Sequence, residues 1–573
     1  MIKIMKKIVI CFTACLYLAL AAGCKKTLVE EPHSDLTPEF FSTAQGFQKG
    51  LEAAYAGTRS FWGNQNLFTM TVIGTDEFYT GKDGNNNINK YNSNYDTANG
   101  TVEAIWKDCY MNINTCNGVI DNSAAVTGLD DNLKSRIVAE TKFLRANYYF
   151  ILVQFWGDVT LNKTFQSTPI TSATRTPMAE VYDFIVKDLQ DAIATPSFYA
   201  NPKSSGALPG VATKAAAQHL LAKVYLTRAG SSAKKANDYI DAYNMAKTVI
   251  TTSGLSLLQD FGDVFAEGNE NSNEVIWNVQ HTSNLAYNGP NNSGGADNVL
   301  NHMWVPQYEL RPGMQRSVTY GRPYIRCVPT AWLTNVAFQE RVNDTRYNKT
   351  FLTTWISNNA SSLPKWEAPI PPGAPANAAV GQVKFTVGDT AIFMPGFDVS
   401  DAKIAATRYL LIPPRKYDIT LSPYMKKYND TKRADLNYPS IRPVIVYRLA
   451  ETYLIAAEAA FMGGATMTDA LDNINFVRRR AAYPNANPAV MNVTTIPSLD
   501  FILDERTREL CGENVRWWDL VRTNKLIDRV KTKNYNPEAA ANIKPFHVLR
   551  PIPQKQIDGV TTGPKYPQNE GWF

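Results

Sequence analysis

Residues 139–159, AETKFLRANYYFILVQFWGDV, decide the fold class. At 3.6 residues per turn, Phe143, Ala146, Phe150 and Val153 share one face, while Leu144, Tyr148, Ile151 and Phe155 occupy an adjoining one. A helix apolar over that much of its circumference is packed on several sides. Gly157 supplies its stop.

Working outward, residues 213–228 repeat the theme: Ala217, Leu220, Leu221, Val224 and Tyr225 recur at helical spacing, with Thr213 as N-cap. The same reading predicts helices at 44–57, 102–121, 177–194 and 237–252, then at 443–462, 467–481 and 499–523. In the first of the late group Leu449, Tyr453, Ala456 and Ala460 form the buried stripe, which Gly463-Gly464 end. Pairs of helices joined by short turns predict a mostly α fold of helical hairpins, like tetratricopeptide units but without a strict repeat consensus. Between the helical groups the texture changes. Residues 280–440 carry Asn-, Gly- and Pro-rich turns such as Asn288-Gly289-Pro290 and Pro371-Pro372-Gly373, with short β-like runs such as Val383 to Val387. Residues 60–100 are similar. Their many aromatics argue for ordered loops on a helical scaffold.

The N-terminus reads as an export signal. Lys3, Lys6 and Lys7 precede an uncharged, mostly apolar stretch from Ile8 to Ala22, shorter than the roughly 20 apolar residues of a membrane-spanning helix. Small residues Ala21-Ala22-Gly23 then lead to Cys24, so the stretch resembles a bacterial lipobox, with Leu20 one place further from the cysteine than is commonest. The expectation is cleavage before Cys24 and lipidation of that cysteine, since several acyl chains suffice for stable anchoring. Cys11 and Cys15 show that a cysteine near an apolar run proves little without the small residues.

Composition excludes several functions. The formal net charge of +6 falls to +3 once the three leader lysines are gone, and no Lys/Arg cluster marks a nucleic-acid surface. Cys109 and Cys116 on one helix would sit about 10 Å apart, too far to bridge; with Cys327 and Cys511 they read as buried free thiols. CxxC, HExxH, GxxxxGK[ST] and GxSxG are all absent, so zinc, phosphate-loop and serine-hydrolase chemistry have no anchor and no cofactor is expected. Asp83-Gly84-Asn85-Asn86-Asn87 lacks the order of a calcium loop and reads as a turn. Glu505, Arg506, Arg508, Glu509, Glu513 and Arg516 mix both signs at helical spacing, which predicts ion pairs before acid/base catalysis. Glu451 and Glu458, seven apart, are expected to contact arginines such as Arg448.

Five segments, in order, resemble the SusD/RagB family of outer-membrane nutrient-binding lipoproteins. They are LVEEPHSDLTPEFFST (28–43) with the helix ending Ala53-Ala54-Tyr55; the 139–159 stretch, with Thr160 where proline is usual; RLAETYLIAAEA (448–459); ERTRELCGENVRWWDLVR (505–522), with Cys511 replacing an aromatic; and the closing Pro551-Ile552-Pro553 and Gln568-Asn569-Glu570-Gly571-Trp572. The resemblance implies a SusD-like helical bundle with tetratricopeptide-like pairs, decorated by long loops and a few short strands. It also implies a non-catalytic role and a partner, a SusC-like TonB-dependent outer-membrane barrel. The expected organisation is a leader (1–23), a tether and entry segment (24–43), an N-terminal helical region (44–279), and a C-terminal region (280–573) holding a loop-rich insert at about 280–440.

Sugars present flat C–H faces and hydroxyls, so a glycan site wants exposed rings among polar groups. Two loop regions supply them: Trp62, Asn64, Asp76, Tyr79, Asp83, Tyr91 and Tyr95 in one, and Trp304, Gln307, Tyr308, Tyr320, Tyr324 and Trp332 in the other. The expected function is capture of oligosaccharides at the cell surface for delivery to the barrel, with the outer-membrane anchor on Cys24 facing the protein outward. Peptide capture, or a purely structural lipoprotein binding protein partners, are the alternatives the residues leave open. Mass spectrometry of the mature chain is expected to find an acylated Cys24 at the first position; an unmodified N-terminus upstream of it would contradict this.

Overall fold

The computed structural model describes residues 38–282, 284, 298–534 and 536–572. The leader, Cys24 and the Glu30-Glu31 stretch lie outside them. Eight helices build the frame: α1 (Ala44–Gly57), α2 (Gly100–Asn122), α3 (Asp131–Trp156), α4 (Met178–Ala194), α5 (Lys214–Ala229), α6 (Asp238–Thr252), α7 (Leu449–Ala459) and α8 (Met467–Ala481). In this order each packs on the next, giving four helical hairpins in succession. Their starts are fixed by side-chain caps: Asn99 accepts from Thr101 and Val102, Asp130 from Asn132 and Leu133, and Thr213 from Ala216. Thr466 and Asp469 form a reciprocal capping box on α8. Every residue of α3 from Phe143 to Trp156 is buried, as its two apolar faces require, and Gly157 ends it at φ +70°.

The structure departs from the periodicity at three places. Residues 443–462 do not form one helix. Val444–Arg448 is a strand pairing antiparallel with Val275–Val279, and helix starts only at Leu449. The β-branched run Val444-Ile445-Val446 suits a pleated ladder. The 499–523 stretch splits into α9 (Leu499–Leu510) and α10 (Arg516–Arg522). Its break is the close approach of Gly512, at φ +72°, where a Cβ would lie 2.5 Å from Met425 and 2.9 Å from the Trp304 ring. Val383 to Val387 forms no strand, only a single bridge from Val383 to Lys365. Cys109, Cys116, Cys327 and Cys511 are buried free thiols.

The two-stranded sheet at 275–279 and 444–448 is a neck: the chain leaves the helices through one strand, forms the loop-rich segment, and returns through the other. Charges buried beside it hold it. Arg448 lies 3.1 Å from Glu274, 2.6 Å from Glu509 and 2.7 Å from Glu513. Arg480 reaches Glu274 at 2.9 Å and also pairs with Glu509. Arg346 joins Asp344 at 2.6 Å, Glu505 at 2.8 Å and Glu509 at 3.0 Å. The expected ion pairs are present, but most are long-range. Glu505 does meet Arg508 three residues on, yet Glu451 meets Lys223 and Arg506, and Glu458 meets Arg522, not Arg448. Burial pushes the Glu509 carboxyl up, but the charges of Arg480, Arg448 and Arg346 outweigh it and hold the group at about 2.

Removing one partner strands the others without a counter-charge, so Arg448→Met is expected to cost about 3–5 kcal/mol in chemical denaturation. With Glu509 at about 2 in the fold against an ordinary 4.5, its contribution is present above the higher value and lost as pH falls between the two. Stability followed by acid titration should decline over that window. A variant as stable as wild type would contradict the assignment.

Candidate functional site

The loops from the two aromatic regions do meet. Strand Phe78–Thr80 pairs antiparallel with Cys327–Pro329, with Tyr79 opposite Val328. Beyond it the amide of Gly81 donates to Arg326 (3.1 Å), that of Asp83 to Ile325 (3.2 Å) and that of Lys82 to Ile419 (2.9 Å). The amide of Gln307 donates to Thr420 at 2.7 Å. Three loops, 79–84, 302–326 and 417–421, are thereby stitched through their backbones. Gly81 and Gly84 are obligatory here: a Cβ would stand 2.4 Å from the Ile325 carbonyl oxygen at the first and 2.2 Å from that of Arg326 at the second.

Most of the rings expected to face ligand are instead the packing of these loops. Trp304, 3% exposed, sits among Phe68, Phe78 and Tyr428 at centroid distances of 4.8, 5.1 and 5.9 Å. Trp62 packs edge-on to Trp277, and Tyr308 to Tyr320, all buried. Tyr91 donates its hydroxyl to Gly74, while the Tyr95 hydroxyl accepts from Arg550 at 2.9 Å. Trp332 is buried beneath the charges of Arg516, Arg529 and Lys533. Asp76 is wholly buried, gripped by Arg516 at 2.7 and 2.6 Å and by Arg529 at 2.9 Å. Burial alone would raise its pKa; the two guanidiniums, Arg516 foremost, bring it below the usual value. These eight side chains are buried, because loops without long ladders are held by large rings and paired charges. Asn64, half-buried, caps the helix Gln65–Thr71 by accepting from Asn66 at 2.9 Å.

Four expected residues remain at the surface in one neighbourhood: Tyr79, Gln307 and Tyr324 are half-buried, and Asp83 is exposed. The structure adds others. Along 322–326, Ile325 turns inward while Arg322, Tyr324 and Arg326 keep access to solvent. The carbons of both guanidiniums stand 5.4 Å from the Tyr324 centroid, and His302 backs the ring at 4.9 Å. Burial first, then the charge of Arg433, depresses His302 to about 4, so it is neutral at pH 7. Burial and then the nearby Asp418 carboxylate push the Tyr79 phenol up to about 12. Asp418 is itself held below its ordinary value: burial opposes this, but the Thr420 hydroxyl (2.6 Å) and the amides of Thr420 and Leu421 donate to it. Arg322, Tyr324 and Arg326 alternate in the sequence, but the segment forms no strand, and Ile325 sits at φ +48°. Nothing local marks Asp418 or Ile419. A half-open ring flanked by planar cations, carboxylates and an amide can hold a polyhydroxylated ligand by stacking and hydrogen bonding.

Two family models match the chain. One, described as the SusD family, covers residues 262–572; the other, described as starch-binding and associating with the outer membrane, covers residues 28–226. A SusD-like protein of Formosa agariphila is 26% identical over 565 residues, spanning 93% of this chain and 94% of the relative. One from Bacteroides ovatus is 26% identical over 441 residues, or 73% and 65% of the two chains. Among solved structures, a SusD homologue from Bacteroides thetaiotaomicron superposes with a TM-score of 0.71 at 19% identity, covering 93% of this chain and 98% of that one. Surface glycan-binding protein A of the same species, solved with laminarihexaose, gives 0.63 at 20% identity, with 92% and 99% covered.

Trp304→Ala is expected to act on the fold, lowering stability by about 3–5 kcal/mol through the cavity it leaves. Melting temperature is the readout; an unchanged value would return Trp304 to the surface.

Proposed function

The chain belongs to the SusD family, and on that premise we propose that it is a non-enzymatic outer-membrane lipoprotein that captures oligosaccharides and passes them to a TonB-dependent barrel. The starch-binding description of the model matching residues 28–226 supports the ligand class, as does the laminarihexaose complex of a structural neighbour. The observation that carries the reading is the open patch of Tyr79, Asp83, Gln307 and Tyr324, built by three loops on a rigid neck. Tyr324 supplies a part-exposed ring between Arg322 and Arg326, and the polar neighbours meet hydroxyls. No helix among the described residues is long and apolar enough to cross a membrane, and attachment is assigned to acyl chains on Cys24. The carboxylates that could have suggested hydrolysis, Glu505 and Glu509, are engaged by Arg346, Arg448, Arg478 and Arg480.

Calorimetric titration of the mature chain against a glycan panel tests this. At least one oligosaccharide should bind, and Tyr324→Ala should weaken it by about tenfold or more. If no saccharide binds, or if Tyr324→Ala binds as wild type, the proposed site fails.

A further inference from the structure

Many buried arginines of this protein meet carboxylates: Arg516 meets Asp76 at 2.6 Å, Arg346 Asp344 at 2.6 Å, and Arg506 Asp519 at 2.7 Å. Others, such as the buried Arg550, are held by hydroxyl and carbonyl oxygens. Arg322 and Arg326 are part-exposed and lack a carboxylate partner as well. Among the described residues neither guanidinium has a carboxylate oxygen within 4.0 Å, although they flank one ring from the same short segment. What holds them leaves their charge intact. Tyr324 attracts both through its π face, and Arg326 donates to the backbone carbonyl of Asp83. Both contacts orient the planar forks without supplying an anion.

The surroundings reinforce the imbalance. Lys82 is exposed on the adjoining loop with no ion pair among the described residues, and Arg311 donates to the Thr420 hydroxyl at 3.2 Å. Of the local carboxylates, Asp418 accepts from Thr420 and Leu421 and keeps its charge close to Arg311, while Asp83 is exposed. Four cations thus face two anions on one patch. Clustering like charges is unfavourable unless a counter-ion arrives, and a guanidinium meets carboxylate or sulfate with two parallel hydrogen bonds.

Resting on the glycan-capture reading above, we propose that the preferred ligand is an anionic saccharide, bearing carboxylate or sulfate groups, which Arg322 and Arg326 grip on either side of Tyr324. Lys82 adds attraction at longer range, so capture from dilute solution is steered by charge.

The test compares hexagalacturonate and a sulfated galactan oligomer with laminarihexaose and cellohexaose, by calorimetry on the full mature chain. Measurements are made in dilute buffer and at about 0.3 M salt, where exposed charges are strongly screened. The acidic oligomers should bind at least about tenfold more tightly in dilute buffer, the margin shrinking with salt. The double variant Arg322→Gln with Arg326→Gln should lose that margin while keeping the wild-type melting temperature. Should the double variant melt early, the salt dependence of the wild type decides alone. Neutral oligomers bound as tightly as acidic ones, with no effect of salt, would overturn the anionic preference and leave glycan capture standing. Failure of all four saccharides would remove both.

Discussion

The structure depends on Arg448 and Glu509 being buried together. Neither could be dehydrated alone, since an unpaired buried charge costs several kcal/mol. Their pairing is satisfied only when the 444–448 strand, α8, α9 and the end of the loop bearing Glu274 converge. Arg448 takes Glu274, Glu509 and Glu513; Arg480 takes Glu274 and Glu509 from the other side. The cluster is therefore a positional constraint more than a source of net stability, because two-fold and three-fold sharing leaves little tolerance for displacement.

From that point the constraint passes outward to the surface. Lys427 pairs with Glu513 at 2.7 Å and donates to the carbonyls of Glu509 and Cys511. Next to it Gly512 lies against Met425 and Trp304, and Trp304 lies against Phe68 and Phe78. Phe78 opens the strand that pairs with Cys327–Pro329 and so fixes Tyr79 beside the 322–326 segment. A salt-bridged neck and a column of rings thus hold three loops whose own ladders are too short to order them. This explains why so many aromatics are interior in a chain whose loops are so long.

The helical half was legible because its signals are local. At 44–57 and 467–481 the helices keep the bounds that the sequence predicts, and Thr43 and Thr466 cap them. The 444–448 strand was not legible, since an apolar Val-Ile-Val run abutting a helix reads as more helix until its partner at 275–279 is known. The site was half legible. Aromatic content located the loops but could not tell a ring that packs from one that binds, because that depends on neighbours far along the chain. Asp76 shows the limit most plainly: a loop aspartate by sequence, it is buried by two arginines more than four hundred residues away. Arg322 and Arg326 carried a pattern that a search for rings alone passes over.

The central claim is that ligand meets the surface made by 79–84, 302–326 and 417–421. Hydrogen–deuterium exchange on the full mature chain, with and without a bound oligosaccharide, addresses it directly. The account predicts slowed exchange in all three loops together, with the helical hairpins unchanged. Protection confined to the helices, with the three loops exchanging as in the free chain, would contradict it.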